Sequence, residues 1–349
     1  MRHSVSWQES PVPPDRLAQV LRDWYARNRR LLPWRASPGT LQDPYIVWIS
    51  ETMLQQTSVA TTIPYFERFI AAFPTVRALA QASLEEVLCL WQGLGYYARA
   101  RRLLQTAQIL ESQGGHFPTT LQDLLKLPGI GRYTATAIAS MAFGEPVLAR
   151  DTNVTRLVLR LFSLTDPTCI EAQVSPLLHP HPGDTNQAFM DIGALYCRAH
   201  RASCPACPLS PFCRTSQENA GEILFAAPPK EQKPTRYATF FHISAEGCLL
   251  LEQRPPQGLL GGLYGLPTTA WDSEQEQAVV FPEALRLIPQ WQESAQFSHT
   301  FTHFRLHVHV LQAQLPRCVP FACPSWIWVP YAQLAHYALP TLFRKALRG

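Results

Sequence analysis

Four cysteines, Cys197, Cys204, Cys207 and Cys213, fall within 17 residues, separated by six, two and five residues and interleaved with Pro205 and Pro208. Few features limit a fold more. Thiolates held in one tight wrap can converge on a cubane iron–sulfur cluster, which needs four soft sulfur ligands. Structural zinc more often uses two Cys-x-x-Cys knuckles joined by a longer spacer. Here there is one knuckle, Cys204–Cys207, with an outlying cysteine on each side. The spacing therefore favours a [4Fe–4S] cluster, with zinc as the alternative. A disulfide framework adds little to a large chain without secretory signs. The other cysteines, Cys89, Cys169, Cys248, Cys318 and Cys323, show no ligand spacing.

The chain has 349 residues, 46% hydrophobic and 16% charged, enough to bury two cores and too apolar for disorder. No apolar run approaches 18 residues, so no spanning helix is expected. Met1 to Pro14 has no apolar stretch of the signal-peptide kind and reads as a loose leader. A cytoplasmic protein is expected, nucleoid-associated if bacterial. Net charge is only +4. Within residues 1–220, however, 20 Lys+Arg face 17 Asp+Glu, and Lys126 is the sole lysine. Arginine forks to phosphate and stacks on bases, although GC-rich codon usage would give the same bias.

Periodicity divides the chain. Apolar residues recur at helical spacing in Leu17–Tyr25, Ile46–Ile70, Leu84–Trp91, Ala100–Leu110, Thr134–Ala142 and Asn153–Leu161. Asp43-Pro44 reads as an N-cap with proline at the first helical position. Gly93, Gly95 and Gly114-Gly115 break the pattern. Residues 221–235 have linker composition, with Pro228, Pro229 and Pro234 around Lys230, Glu231 and Lys233. Beyond it, Ala238–Ile243, Gly247–Gln253, Phe304–Ala313 and Ser325–Val329 read as strands, Arg305–Val310 alternating polar and apolar, and Leu339–Leu347 as a closing helix. The expectation is a mainly α fold: a leader (1–14), a helical domain (15–220), a linker (221–235) and a smaller α+β domain (236–349).

Leu127-Pro128-Gly129-Ile130-Gly131 lies between two helical patterns. Two glycines two apart permit a hairpin whose outward N–H groups can hold a phosphate oxygen, and the following helix adds its positive end. This is a helix-hairpin-helix signature, with Leu127, Gly129 and Gly131 as candidate DNA contacts.

A helix-hairpin-helix followed by an aspartate and a Cys-x6-Cys-x2-Cys-x5-Cys loop resembles the endonuclease III superfamily of DNA glycosylases. Leu32-Pro33-Trp34-Arg35, the run from Asp43 to Thr57, and Gly93-Leu94-Gly95-Tyr96-Tyr97-Ala98-Arg99 are similar to the MutY-type adenine DNA glycosylase branch. So are the run from Arg254 to Leu263 and His299-Thr300-Phe301-Thr302-His303-Phe304. The likeness spans nearly the whole chain past the leader. It implies a helix-hairpin-helix glycosylase domain with an iron–sulfur loop, followed by a Nudix-like domain.

The same resemblance implies site roles. On the residues alone, Glu51 is a buried ion-pair partner and Asp151 a helix cap. The resemblance makes Glu51 the general acid that protonates adenine at N7, its pKa raised by an apolar setting, and Asp151 the anion that stabilises an oxocarbenium-like sugar. Asn153 orients Asp151 or belongs to the cap of the following helix. Glycine is common among relatives where Thr152 stands here. Tyr133 occupies the position at which the endonuclease III branch carries a Schiff-base lysine, and Lys126 precedes the hairpin. A monofunctional enzyme follows, with Tyr133 lining the adenine pocket. Gln56 and Tyr96 match residues that wedge into the duplex, Arg99 joins the DNA-binding set, and Arg30, Trp34 and Gln187 line the base pocket. The C-terminal domain lacks the carboxylate box of Nudix hydrolases between Gly258 and Pro282, so it is expected to read the lesion through Phe301, Thr302 and His303. Relatives usually carry serine where Thr302 stands. The cluster would fasten a loop bearing Arg198, Arg201 and Arg214. The implied partner is double-stranded DNA with adenine opposite 8-oxoguanine or guanine, met by a monomer without a membrane. The alternative activities are an endonuclease III-like glycosylase/lyase for oxidised pyrimidines and a non-catalytic iron–sulfur DNA binder.

Overall fold

The computed structural model describes residues 13–200, 202–215, 232–272, 282–286 and 288–348. Arg201, most of the leader, most of the linker and part of the Gly258–Pro282 stretch lie outside the described residues. The chain folds as two compact units, Met1–Gln81 with Arg102–Ala227, and Ala82–Arg101 with Pro228–Gly349.

The first unit is helical. Its principal helices are α1 (Pro14–Asn28), α2 (Pro44–Leu54), α3 (Val59–Ala72) and α4 (Val76–Ala80), followed by α5 (Leu84–Trp91) in the second unit and α6 (Ala98–Ser112) across the division. Next come α7 (Leu121–Leu124), α8 (Arg132–Phe143), α9 (Thr152–Phe162), α10 (Ile170–Val174) and α11 (Pro182–Leu195). Helix α2 begins as its sequence dictates: the Asp43 carboxylate accepts the Tyr45 amide and Pro44 stands at the first helical position. Tyr45, Val47, Trp48, Ile49, Ser50, Glu51, Thr52 and Met53 are all buried. Trp48 meets Phe117 edge-on at 5.5 Å, and the Tyr45 hydroxyl donates to the Phe73 carbonyl at 2.6 Å.

The periodic run Ile46–Ile70 is two helices rather than one. The chain leaves α2 at Gln55, passes through Gln56 at φ +59°, and restarts where Ser58 accepts the Thr61 amide at 3.2 Å. Apolar spacing survives a short break of this kind, so periodicity alone does not reveal it.

A second core unites α1, α9, α10 and α11 with the cysteine loop through Leu21, Tyr25, Val158, Leu161, Phe189, Ile192, Cys197 and Leu209. Helix α11 has no clear sequence signature, because its buried face includes Asp184, Thr185, Asn186, Gln187 and Asp191.

The second unit carries a six-stranded mixed sheet: β1 (Thr235–Ala245), β2 (Cys248–Gln253), β3 (Tyr264–Gly265), β4 (Gln292–Thr300), β5 (Arg305–Leu315) and β6 (Trp326–Pro330). The order is β3-β2-β1-β5-β4, with β6 also paired to β2. β1 and β5 are parallel, from Thr235↔Arg305 to Ala245↔Leu315, and the other pairs are antiparallel. Leu306, Val308 and Val310 of β5 are buried while the residues between them are less so, as a period-two strand requires. One core joins Phe240, Leu249, Leu306 and Val310 to the last helix, α12 (Thr341–Ala346), through Phe343. Another gathers Phe241, Ile243, Leu250, Leu285 and Leu311. Strand β4 was not expected, since its Gln, Glu, Ser and His residues leave it half exposed.

Candidate active site

Glu51 projects from the fourth-last position of α2, a helix too apolar to shelter a carboxylate without cost. It is only 6% exposed. Burial raises its pKa most strongly. The Tyr133 hydroxyl, which donates to Oε2 at 2.7 Å, opposes the rise, as does the charge of Arg35, while Asp151 adds to it. The net direction is upward, which favours a protonated carboxyl at higher pH than usual. Tyr133 comes from the first turn of α8, so the helix after the hairpin delivers the hydroxyl to the acid.

Asp151 is the N-cap of α9. Its Oδ1 accepts the Val154 amide at 2.7 Å and its Oδ2 accepts Asn153 Nδ2 at 3.1 Å. Thus Asp151 caps its helix and is held by Asn153 at once, two roles that the sequence of this turn presents as alternatives.

Glu51, Asp151, Tyr133 and Asn153 line a single cavity of about 580 Å³, together with Arg30, Trp34, Gln56 and Gln187. The volume lies in the range of small-molecule sites and leaves ample room for a purine base. Trp34 is buried against Phe66, with ring centroids 5.3 Å apart. Gln187 is 4% exposed and donates to the Gly183 carbonyl at 3.2 Å.

Several residues that hold this site were not anticipated. Asp191 of α11, its side chain fully buried, takes Arg35 Nη1 at 2.6 Å and Nη2 at 2.9 Å, and Arg30 Nε at 2.6 Å. Burial alone would raise the Asp191 carboxyl, but the Arg35 bonds and the two guanidinium charges hold it below its ordinary range. The forked arginine pair thus fixes one wall of the cavity. Arg156 and Arg160 are each only 9% exposed. Arg156 donates to Asn153 Oδ1 at 2.8 Å, to the Cys197 carbonyl at 2.6 Å and to the Gly193 carbonyl at 3.0 Å. Arg160 reaches the Arg198 and Ala199 carbonyls and lies 3.5 Å from Cys197 Sγ. In sequence, two arginines four apart on a helix read as a solvated face; only their shared dependence on α9 and the cysteine loop would have marked them.

The four cysteines line one small cavity with Leu157, Leu161, Tyr196, Leu209 and Arg160. No group of three or more acidic, imidazole or thiol donors among the described residues is gathered as around a single ion. That is compatible with the donor set, because a cubane places each thiolate on a different iron and so keeps the sulfurs apart. Four thiols facing one apolar cavity fit such a cluster.

The remaining predicted residues are not among those that line the cavity. In the hairpin, Gly129 has φ +78°, Ile130 donates to the Leu127 carbonyl at 3.2 Å, and Thr106 donates to the Pro128 carbonyl at 2.6 Å. Leu127 and Ile130 are buried anchors. Gly131 caps α8 without a side-chain bond. In the second unit, Tyr96 is 47% exposed at φ +50°, and its hydroxyl lies 3.0 Å from Thr302 Oγ1. The Arg99 guanidinium stacks over both Tyr96 and Trp91 at 5.4 Å, and burial pushes its pKa down to about 10. Phe301 closes a tight turn by donating to the Phe304 carbonyl at 2.8 Å, with Thr302 and His303 exposed at the tip. Behind the turn, Phe301 stacks on Phe304 at 4.8 Å and meets Trp271 at 5.8 Å. Arg254 covers Trp271 at 4.7 Å. The histidines nearby have other partners: His307 contacts Ser298 at 3.1 Å, and His309 faces Glu293 at 3.4 Å.

Residues 49–176 match the HhH-GPD superfamily of base excision DNA repair proteins, and residues 238–349 match the NUDIX domain. A thermostable thymine-DNA glycosylase of known structure shares the fold, at a TM-score of 0.52 and 24% identity over 59% of this chain and 97% of that one. The human adenine DNA glycosylase is 35% identical over 94% of this chain and 72% of its own length. The adenine DNA glycosylase of Buchnera aphidicola subsp. Acyrthosiphon pisum (strain APS) is 33% identical over 95% of this chain and 97% of its own length. With likeness of that extent across both units, the chain belongs to the adenine DNA glycosylase family.

Proposed function

We propose that this enzyme removes adenine paired with 8-oxoguanine or guanine in double-stranded DNA by hydrolysing the N-glycosidic bond. One observation carries the reading: a buried carboxyl with a raised pKa, Glu51, shares a cavity roomy enough for a purine with the hydrogen-bonded Asp151.

An adenine flipped from the stack enters the cavity beside Trp34, Gln187 and Arg30. Glu51 gives its proton to N7, and the C1′–N9 bond breaks with its electron pair passing to the purine. The sugar left behind is oxocarbenium-like, and the Asp151 anion stabilises that positive charge. Water adds at C1′ and gives up a proton, for which the newly ionised Glu51 is the base in place. Tyr133 keeps the Glu51 carboxyl in one orientation through its 2.7 Å bond. Lys126 is exposed and paired with Asp123 at 2.7 Å, so no amine supports a Schiff-base route from that position. The activity is monofunctional.

Residues 15–220 form the glycosylase domain and 236–349 the reading domain. Gly129, Gly131 and the open N-terminus of α8 hold a phosphate while Leu127 anchors the hairpin. Gln56 and Tyr96 enter the duplex, and Arg99 supports Tyr96 from below. Phe301, Thr302 and His303 inspect the base opposite adenine. Cys197, Cys204, Cys207 and Cys213 hold a [4Fe–4S] cluster, which when bound fastens the loop that Arg156 and Arg160 brace. The enzyme acts as a monomer where the chromosome lies, in the cytoplasm with the nucleoid if the host is bacterial.

Single-turnover cleavage of a duplex with adenine opposite 8-oxoguanine, with and without alkali, beside a thymine-glycol duplex, tests the reading. Nicking at adenine that requires alkali is expected. Alkali-independent cleavage at thymine glycol would overturn it in favour of a lyase.

A further inference from the structure

Outside the active site, the end of the sheet where β1 turns into β2 carries a pair of thiols. The connection is the two-residue turn Glu246-Gly247, with Ala245 paired to Cys248 across it. Both turn residues have left-handed φ, +48° and +74°. Such a turn matches the twist of antiparallel strands, but at its first centre a glutamate bears a conformation that non-glycine residues seldom adopt. The Glu246 side chain is tied down: Oε2 accepts the Cys318 amide at 3.0 Å.

Cys318 lies three residues past the end of β5, where the chain folds back over the strand ends. Its Sγ is 3.6 Å from the carbonyl of Ala245, the residue opposite Cys248. Its thiol also contacts the thiol of Cys248 and the carboxylate of Glu246. Both cysteines are only partly buried, so a small solute can reach them. Sheet register, a constrained turn and a backbone hydrogen bond together hold two thiols side by side that are distant in sequence.

We propose that Cys248 and Cys318 are a redox-active dithiol that closes to a disulfide by exchange with a small-molecule disulfide. The thiolate of one cysteine attacks a sulfur of the small disulfide, whose S–S bond breaks and releases one thiol. The second cysteine then attacks the mixed disulfide and displaces the other thiol. Two electrons and two protons leave the protein pair, and the small disulfide becomes two thiols. The product clasps the segment after β5 to the start of β2, fixing the Glu246-Gly247 turn. Intracellular disulfides that form in this way serve as switches more often than as permanent staples.

The test uses the full chain with its cluster loaded. It is incubated with oxidised glutathione, alkylated, digested without reduction and mapped by mass spectrometry. The expected result is one joined species that pairs the Cys248 and Cys318 peptides, two hydrogens lighter than their sum, with alkylation lost at both positions together. Thiol reductant should reverse it. Cys318→Ser should instead accumulate glutathione on Cys248 and leave adenine excision unchanged. The wild-type map is decisive by itself if a serine variant folds poorly. Separate glutathione adducts on each cysteine, full alkylation of both, or joint protection without a joined peptide would overturn the proposal.

Discussion

The Tyr133 hydroxyl donates to the Glu51 carboxyl at 2.7 Å, and the two residues come from helices separated by some eighty residues of chain. The contact opposes the effect of burial on Glu51, so it sets the acid's strength as well as its direction. Tyr133→Phe removes that opposition. The Glu51 pKa should rise further, and the alkaline limb of the excision rate should move to higher pH. The plateau rate should fall about tenfold, the equivalent of one hydrogen bond to a reacting group. Single-turnover rates across pH measure both effects.

Glu51→Gln should separate activity from stability. Excision should fall by roughly 100-fold or more with the proton donor gone. Stability should move the other way. Unfolded, Glu51 ionises at the ordinary carboxylate pKa; folded, it holds its proton to higher pH. As pH rises between those two values the unfolded chain releases a proton that the folded chain keeps, so stability is lost. Glutamine does not titrate and should be the more stable of the two at neutral pH. Thermal unfolding of both proteins at acidic and neutral pH checks it: the gap should widen as pH rises.

Arg156 connects the Cys197 carbonyl to Asn153, and Asn153 to Asp151. Arg156→Ala should release Asp151 from its orientation and slow excision by up to about 100-fold. DNA affinity should stay near wild type. Arg156→Lys should restore little, since a single ammonium cannot span the guanidinium's acceptors. Binding titrations run beside single-turnover rates distinguish orientation from affinity.

Gly129→Ala should damage the hairpin. An added Cβ would stand 2.7 Å from Arg102 Cβ, at a φ of +78°. A cost of about 1–3 kcal/mol is expected, read as a lower Tm, with weaker duplex binding at every sequence.

Trp271→Ala should loosen the Phe301–Phe304 turn from behind. Each aromatic contact of this kind is worth about 0.5–1.5 kcal/mol. The ratio of excision opposite 8-oxoguanine to excision opposite guanine should change. An unchanged ratio would assign Trp271 to packing alone.

Much of this was legible in the sequence, for identifiable reasons. Asp43-Pro44, the Gly129 turn and the alternating β5 declare themselves locally, because caps, left-handed φ and pleat are short-range chemistry. The cysteine spacing likewise needs no tertiary context. Helix α11 and the Asp191 clamp were not legible, because a polar helix face turns inward only where Arg30 and Arg35 arrive from elsewhere in the chain. Arg156 and Arg160 were obscure for the same reason. The break at Gln55–Ser58 hid within an unbroken apolar period.

Gln56 and Tyr96 are two of five non-glycine residues with positive φ among those described. A side chain on such a backbone is aimed by the main chain before its own rotamer matters. Each position therefore narrows its own vocabulary of replacements: β-branched residues are disfavoured by the local geometry, and glycine would relax the turn but leave no side chain for it to aim. Drift at these two sites should be confined to unbranched or planar side chains, whatever the surrounding surface becomes.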